Sequence, residues 1–310
     1  MGSKAPFVVD SKLTAIAIGY RNAQFIADMV APRFDVPSEQ FKWTEFDTKD
    51  VFTIPNTFVG RKGVPNTVEF SATEKDGSVN DYGLSDVIPQ SDIIKARDNP
   101  SFDPEGRATV KLTELVALDR EKRVASLVMN ASTYNHSELI TGTDKWTDPA
   151  SKPIDQITDA LNTPMVTPNI MVMGRAEALA LRKNPQIIRA YHGNTGEDGL
   201  VPLSFIRELF ELDEIIVGAS RYNTANKGQA MNISNLWSGG VSLIYRKQAA
   251  QLTDDVTFML TPSWQGRIAY RKVIEPGELG IRGGVKITVG DSTNELVIAS
   301  EAGYFLEGVV

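Results

Sequence analysis

Residues 52–70, FTIPNTFVGRKGVPNTVEF, read as two strand-like runs that meet at Gly60-Arg61-Lys62-Gly63, with Pro55 and Pro65 inside the runs. Proline cannot donate to a β-ladder, so such runs are confined to edge or bulged strands. Around them, Phe41 and Trp43, then Val68, Phe70 and Ala72, alternate with polar residues at the period of a strand with one covered face. The segment is a two-stranded ribbon with open edges, and an isolated ribbon is at best marginally stable in water. No neighbouring helix in the sequence is placed to cover its apolar face, so the expected cover is another chain. At roughly 3.3 Å per residue, an arm of about ten residues reaches on the order of 30 Å, far enough to lie across a neighbouring subunit.

The rest of the chain must supply a body. Of its 310 residues, 42% are hydrophobic and 23% charged, enough for a real core. Residues 1–40 hold a short amphipathic run, Leu13 to Val30, then Pro32 and Pro37, which predict a short helix within an extended arm. Beyond the ribbon, Asp103 suits an N-cap, Pro104 the first helical position and Glu105 the positive end of the dipole. Leu112, Leu115, Val116, Leu118, Val124, Leu127 and Val128 then recur at helical spacing, with Asp119 to Arg123 forming the polar face. A helix is expected over about 104–132, roughly 40 Å long at 1.5 Å per residue.

Residues 141–153 read as loop. From Ile154 the strands IMVMG and DEIIVGA alternate with helices over 175–183 and 202–212, followed by a strand over 241–246, the pattern of an α/β unit. Strands are expected again at 266–273, 285–289, 296–299 and 304–309, with 290–294 as a hairpin connection.

Candidate chemistry is sparse. The chain has no cysteine, which removes disulfides and thiolate sites. His136 and His192 lie far apart in polar surroundings and read as solvated loop histidines. Gly218-Ala219-Ser220-Arg221-Tyr222 lacks the final glycine of a hydrolase elbow. Gly239-Gly240 and the glycines of 280–284 match no nucleotide fingerprint and read as turns, and Asp254-Asp255 as solvated charge. Basic runs at Arg61-Lys62, Arg120 to Arg123, Arg246-Lys247 and Arg271-Lys272 are short and lack interleaved aromatics, so they read as salt-bridging or solvated faces. A net charge of −7 argues against a nucleic-acid footprint, and no stretch approaches the roughly 18 apolar residues of a membrane span. No catalytic residue, cofactor or metal site is expected, and the chain reads as a non-enzyme. Its first hundred residues are pieces unable to bury themselves, so their burial must come from partners.

The order of elements, together with the stretches IADMVAPRFDVPSEQFKWTEFD, DYGLSDVIPQSDI, PNIMVMGRAEALALRKNPQI, GLVPLSFIRELFELDEIIVGASRYNTANKG, NLWSGGVSLIYR and PSWQGRIAYR, resembles the major capsid proteins of tailed bacteriophages, the HK-ninety-seven-like fold family. The resemblance covers nearly the whole chain. It implies an α+β fold with an N-terminal arm (1–40), an extended β-hairpin loop (41–97), a peripheral domain with a long spine helix (98–153), an axial α/β domain (154–264) and closing strands of the peripheral domain (265–310). It further implies pentamers and hexamers closing into an icosahedral shell around double-stranded DNA, held without sequence-specific contact, in a virion assembled in the bacterial cytoplasm. A separate scaffolding protein is expected because the arm begins close to Met1, along with a portal and a possible decoration protein. Phe25, Trp43, Phe52, Phe58, Arg61, Lys62, Phe70, Arg120 and Arg123 are the expected intersubunit contacts. Some relatives join a lysine to an asparagine covalently. Lys62 and Lys75 lie in the loop here, but no Asn or Glu is singled out as partner, so non-covalent locking is expected. Two readings stand beside this one: an encapsulin-like compartment of the same fold enclosing protein cargo, and an α/β enzyme domain over 154–264.

Overall fold

The computed structural model describes residues 10–20, 22–46, 54–67, 72–98, 103–193, 199–226, 228–247 and 256–310. The arm holds two helices: α1 (Ser11–Gly19), whose N-cap Asp10 accepts from the Lys12 and Leu13 N–H groups, and a single turn, α2 (Ala27–Val30). It then enters β1 (Arg33–Asp35).

The ribbon pairs β2 (Gln40–Phe46) with β3 (Ala72–Ser78), in register from Gln40 opposite Ser78 to Phe46 opposite Ala72. Residues 54–67 between them form no strand; a turn at Arg61-Lys62 is closed by the Gly63 N–H donating to the Gly60 carbonyl at 2.8 Å. The strand-like runs flanking Pro55 and Pro65 are thus irregular where described, and the ladder lies nearer the body. The cover expected from another chain is, for the base of the ribbon, supplied by the same chain. Phe41 and Trp43 are buried against Val36, Leu260 and Ile298.

After β4 (Asn80–Pro89) and α3 (Gln90–Asp98) comes the long helix α4 (Pro104–Val128). Asp103 caps it by accepting from the Gly106 N–H, and Pro104 opens its first turn, as the sequence predicts. It stops at Val128 rather than near 132. Asn130 adopts extended backbone and its side chain accepts from the Ser132 N–H, starting a 3₁₀ turn over Ala131–Thr133.

Two sheets flank the long helix. The first is ordered β1-β11-β12-β4, from β11 (Met259–Ile274), β12 (Gly284–Thr293) and the arm and loop strands, with β13 (Leu296–Val297) paired to β11. β11 shifts register between Trp264 and Arg267, where Gln265 (φ 57°) and Gly266 (φ 65°) form a bulge. Its first half therefore meets β1 and its second half meets β12 along most of its length. β12 runs through residues 290–293, so the hairpin connection expected there is strand instead.

The second sheet is ordered β5-β14-β10-β6-β7, from β5 (His136–Leu139), β6 (Ile170–Gly174), β7 (Glu214–Gly218), β10 (Gly240–Ile244) and β14 (Gly303–Glu307). It thus takes one strand from before residue 154 and one from after 264. Helices α5 (Pro153–Asn162), α6 (Arg175–Lys183), α7 (Pro185–His192) and α8 (Leu203–Leu209) cover one face. There Met171, Met173, Val241, Leu243 and Leu306 pack with Leu181, Ile187 and Ile206. The alternate residues Ile170, Val172, Ile216, Ile244 and Phe305 face Val124, Ala125 and Val128 of the long helix. Period-two alternation on both sides explains why these strands read as unbroken apolar runs. A small hairpin, β8 (Arg221–Asn223) with β9 (Ile233–Asn235), completes the unit.

Trp146, in the stretch read as loop, is almost fully buried and donates its indole N–H to Gln156 at 2.7 Å. His136 opens β5 and His192 closes α7, so neither lies in a loop.

Candidate assembly interface

The long helix ties the arm to both sheets through two residues that sequence reasoning placed on its polar face. Helical spacing carries the core-facing stripe through Leu112, Val116, Val124 and Val128, and Arg120 and Glu121 fall within it. Leu115, expected on that stripe, is 51% exposed.

Glu121 is fully buried and gathers four donors. The N–H groups of Ile26 and Ala27 reach it at 2.9 and 2.8 Å, the Trp237 indole at 2.7 Å and the Ser220 hydroxyl at 3.3 Å. The two backbone donors belong to the start of α2, where a carboxylate also suits the helix dipole. One side chain thus holds the arm, the long helix and the second sheet. Trp237 reaches it by lying flat on β7, where a Cβ at Gly218 would stand 2.2 Å from the indole.

Arg120 points toward the first sheet, buried except for 4% of its side chain. It donates to Asp28 at 2.5 Å, to the Ala31 carbonyl at 3.1 Å and to Thr261 at 3.2 Å, and its Nε lies 3.7 Å from Glu295. Arg33 bridges Asp28 and Asp291, Arg267 meets Asp291 at 3.5 Å, and Arg123 grips Glu295 and Asp119 with its guanidinium 3.5 Å from the Tyr82 ring. Burial, followed by repulsion from Arg33, lowers the Arg120 pKa from its ordinary value. Burial alone would raise the Asp28 carboxyl, but the Arg120 and Arg33 guanidiniums outweigh it and hold Asp28 below the usual carboxylate range.

This sets a pH dependence. Because the folded pKa of Asp28 lies below the unfolded value of about 3.9, its contribution is full above that value and is lost as pH falls through the lower folded pKa. Proteolysis of the arm is therefore expected to accelerate in acid, and to do so less in Asp28→Asn than in the native chain. Equal acid acceleration in both would remove Asp28 from the account.

The contacts expected from sequence divide into three groups. Arg120 and Arg123 have their partners inside the chain, as does Trp43, which is buried with Lys75 5.3 Å above its ring. Phe52 and Phe70 lie outside the described residues. Phe25, Phe58, Arg61 and Lys62 remain at least partly exposed. In the loop, Ile54, Phe58 and Val64 are 93%, 82% and 88% exposed, an apolar surface with no cover from its own chain. Hydrogen bonds within the loop shape it: Phe58 N–H to Asn56 at 3.0 Å and Asn66 to the Asn56 carbonyl at 2.8 Å. Among the described residues no cluster of acids and histidines could hold a metal, and no helix is long and apolar enough to cross a membrane.

The arm, the protruding ribbon, the long helix between two sheets and the exposed loop together define the HK-ninety-seven-like α+β fold of shell-forming phage proteins. Solved structures agree. A phage-related protein from Bordetella bronchiseptica superposes with a TM-score of 0.75 at 21% identity, covering 98% of this chain and 99% of that one. The capsid structure of cyanophage P-SCSP1u gives 0.58 at 11% identity, covering 99% and 92%. The chain is also 44% identical over 310 residues to the major capsid protein of Pseudomonas phage JBD67, spanning 99% of each. No protein-family model matches. The chain belongs to the family of bacteriophage major capsid proteins, structural components of the virion, and the compartment-shell reading draws no support from this relationship.

Proposed function

We propose that this chain builds an icosahedral shell of pentamers and hexamers around double-stranded DNA, assembled in the bacterial cytoplasm with a separate scaffolding protein, a portal and a possible decoration protein. In this reading 1–40 grips neighbours, 41–97 extends over an adjacent subunit, 98–153 with 265–310 forms the peripheral part and 154–264 meets its copies at the capsomer centre. Phe25, Phe58, Arg61 and Lys62 are the contacts that stay available for neighbours. The observation that carries the reading is the loop of residues 54–67, whose apolar side chains stand in solvent beside a body that has buried its own core. The net charge of −7 suits a container that holds DNA without gripping it.

Electron microscopy and light scattering of the chain, alone and with its scaffold, test this directly. Closed shells or rings of five and six are expected, whereas a well-folded monomer under both conditions would overturn the proposal. Reversing Arg61 and Lys62 to glutamate is expected to lower the melting temperature of assembled shells while leaving that of the soluble subunit unchanged, since neither residue has an ion-pair partner among the described residues. Unaltered melting of the assembled particle would count against a role for the tip. Locking is expected to be non-covalent, so denaturing gels of mature shells should show one band at monomer mass; a ladder of multimers would refute this.

A further inference from the structure

The arm and the long helix leave a groove of about 540 Å³ between them, within the roughly 300–1,000 Å³ of small-molecule sites. Ile18, Tyr20, Phe25 and Met29 of the arm and Ala117 of the long helix form its apolar walls, with Ile18 and Met29 58% and 41% exposed. Part of its polar lining comes from β1 against β11, where Asp35 lies opposite Ser263 and both line the groove. Ser263 is 1% exposed, and its hydroxyl has no hydrogen-bond partner among the described residues. A buried hydroxyl left without a partner is uncommon in a folded protein and points to something that completes it. Asp35 is exposed and has no cation partner among the described residues.

Charge decides which ligand fits. Arg33, Arg120 and Arg267 line the groove, but Asp28, Asp291 and Glu295 already engage them. Asp35 and Glu114, which stands beside Tyr20 at the rim, are surplus to that pairing. An anionic ligand is repelled by this surplus, whereas a cation is held by it. We propose that the groove is a binding site for a small organic cation, a primary ammonium on a short aliphatic chain. The ammonium donates to the Asp35 carboxylate and to the Ser263 oxygen, and the aliphatic chain lies along Ile18, Phe25 and Met29. The rings of Tyr20 and Phe25 add faces that attract a cation. Because the walls come from both the arm and the long helix, an occupied groove ties the arm to the body. The site belongs to the single subunit and stands whether or not shells close.

The probe is n-hexylamine, charged at neutral pH, titrated calorimetrically into the soluble subunit, with hexanoate, of equal length and opposite charge, as its control. Hexylamine should bind at one saturable site per chain, and hexanoate should not bind. Asp35→Asn should weaken hexylamine about tenfold, the loss of one charge-assisted hydrogen bond. Ala117→Phe, which fills the groove, should abolish binding. Ser263→Ala removes only a hydroxyl and should weaken hexylamine severalfold, so the test stands even where Ala117→Phe disturbs folding. Glu278→Gln, an exposed acid in the turn between β11 and β12, should leave affinity unchanged. Bound amine should also slow proteolysis of the arm in the native chain and have no such effect in Asp35→Asn. No saturable binding at millimolar amine overturns the site, as does equal affinity for hexanoate. Binding that survives both Asp35→Asn and Ser263→Ala places the amine elsewhere and overturns it too.

Discussion

Replacing Glu121 with alanine is expected to lower the stability of the soluble subunit by about 3–5 kcal/mol and to free the arm. The carboxylate is fully buried, and its loss leaves two backbone N–H groups, an indole N–H and a hydroxyl without their acceptor. Each orphaned donor costs on the order of 1–3 kcal/mol, reduced where the cavity lets water in. A domain has about 5–15 kcal/mol in total, so the variant should fall near the threshold of folding. Denaturant unfolding of the subunit measures the loss, and limited proteolysis shows whether the arm is released first. Glu121→Gln keeps the shape but turns one acceptor into a donor, so it should lie between the two. A variant as stable as the native chain would mean the carboxylate is not the hub its contacts describe.

Arg120→Leu is expected to cost about 3 kcal/mol, by leaving Glu295, which is closed to solvent, and the half-exposed Asp28 with one cation fewer. The cost is smaller than for Glu121 because Arg33 still reaches Asp28 and Arg123 still reaches Glu295. Removing Arg120 also relieves its repulsion with Arg33. A cycle with Asp28→Asn isolates the pair: if the two losses simply add, the contact contributes nothing of its own. Arg120→Lys should not rescue the native stability. A point charge cannot reach Asp28, the Ala31 carbonyl and Thr261 together as the planar guanidinium does.

These residues show where sequence reading succeeds and where it stops. The run Asp119 to Arg123 is strongly charged, so a polar face is the natural inference from residue type. Spacing tells a different story, because positions 120 and 121 continue the stripe of Val116 and Val124. A charged pair on an apolar stripe is the signal of a buried polar hub, and it was legible in the periodicity alone. Its partners were not. Asp28 and Glu295 lie 92 and 175 positions away from Arg120 in the chain, and no local rule joins them. The same limit explains the ribbon. Alternation at Phe41 and Trp43 correctly marked one covered face, but Leu260 and Ile298, which cover it, come from the far end of the chain.

Local chemistry written in the sequence alone determined the Asp103-Pro104 opening of the long helix and the strand at IMVMG. Caps, proline and side-chain periodicity act within a few residues and need no knowledge of what is distant. Only the tertiary structure decided that the arm closes the first sheet, that β14 returns from the C-terminus to join β10, and which distant groups Arg120 and Glu121 meet. Those choices depend on which distant surfaces exclude water together. A buried carboxylate is tolerable only where the completed fold brings four donors to it.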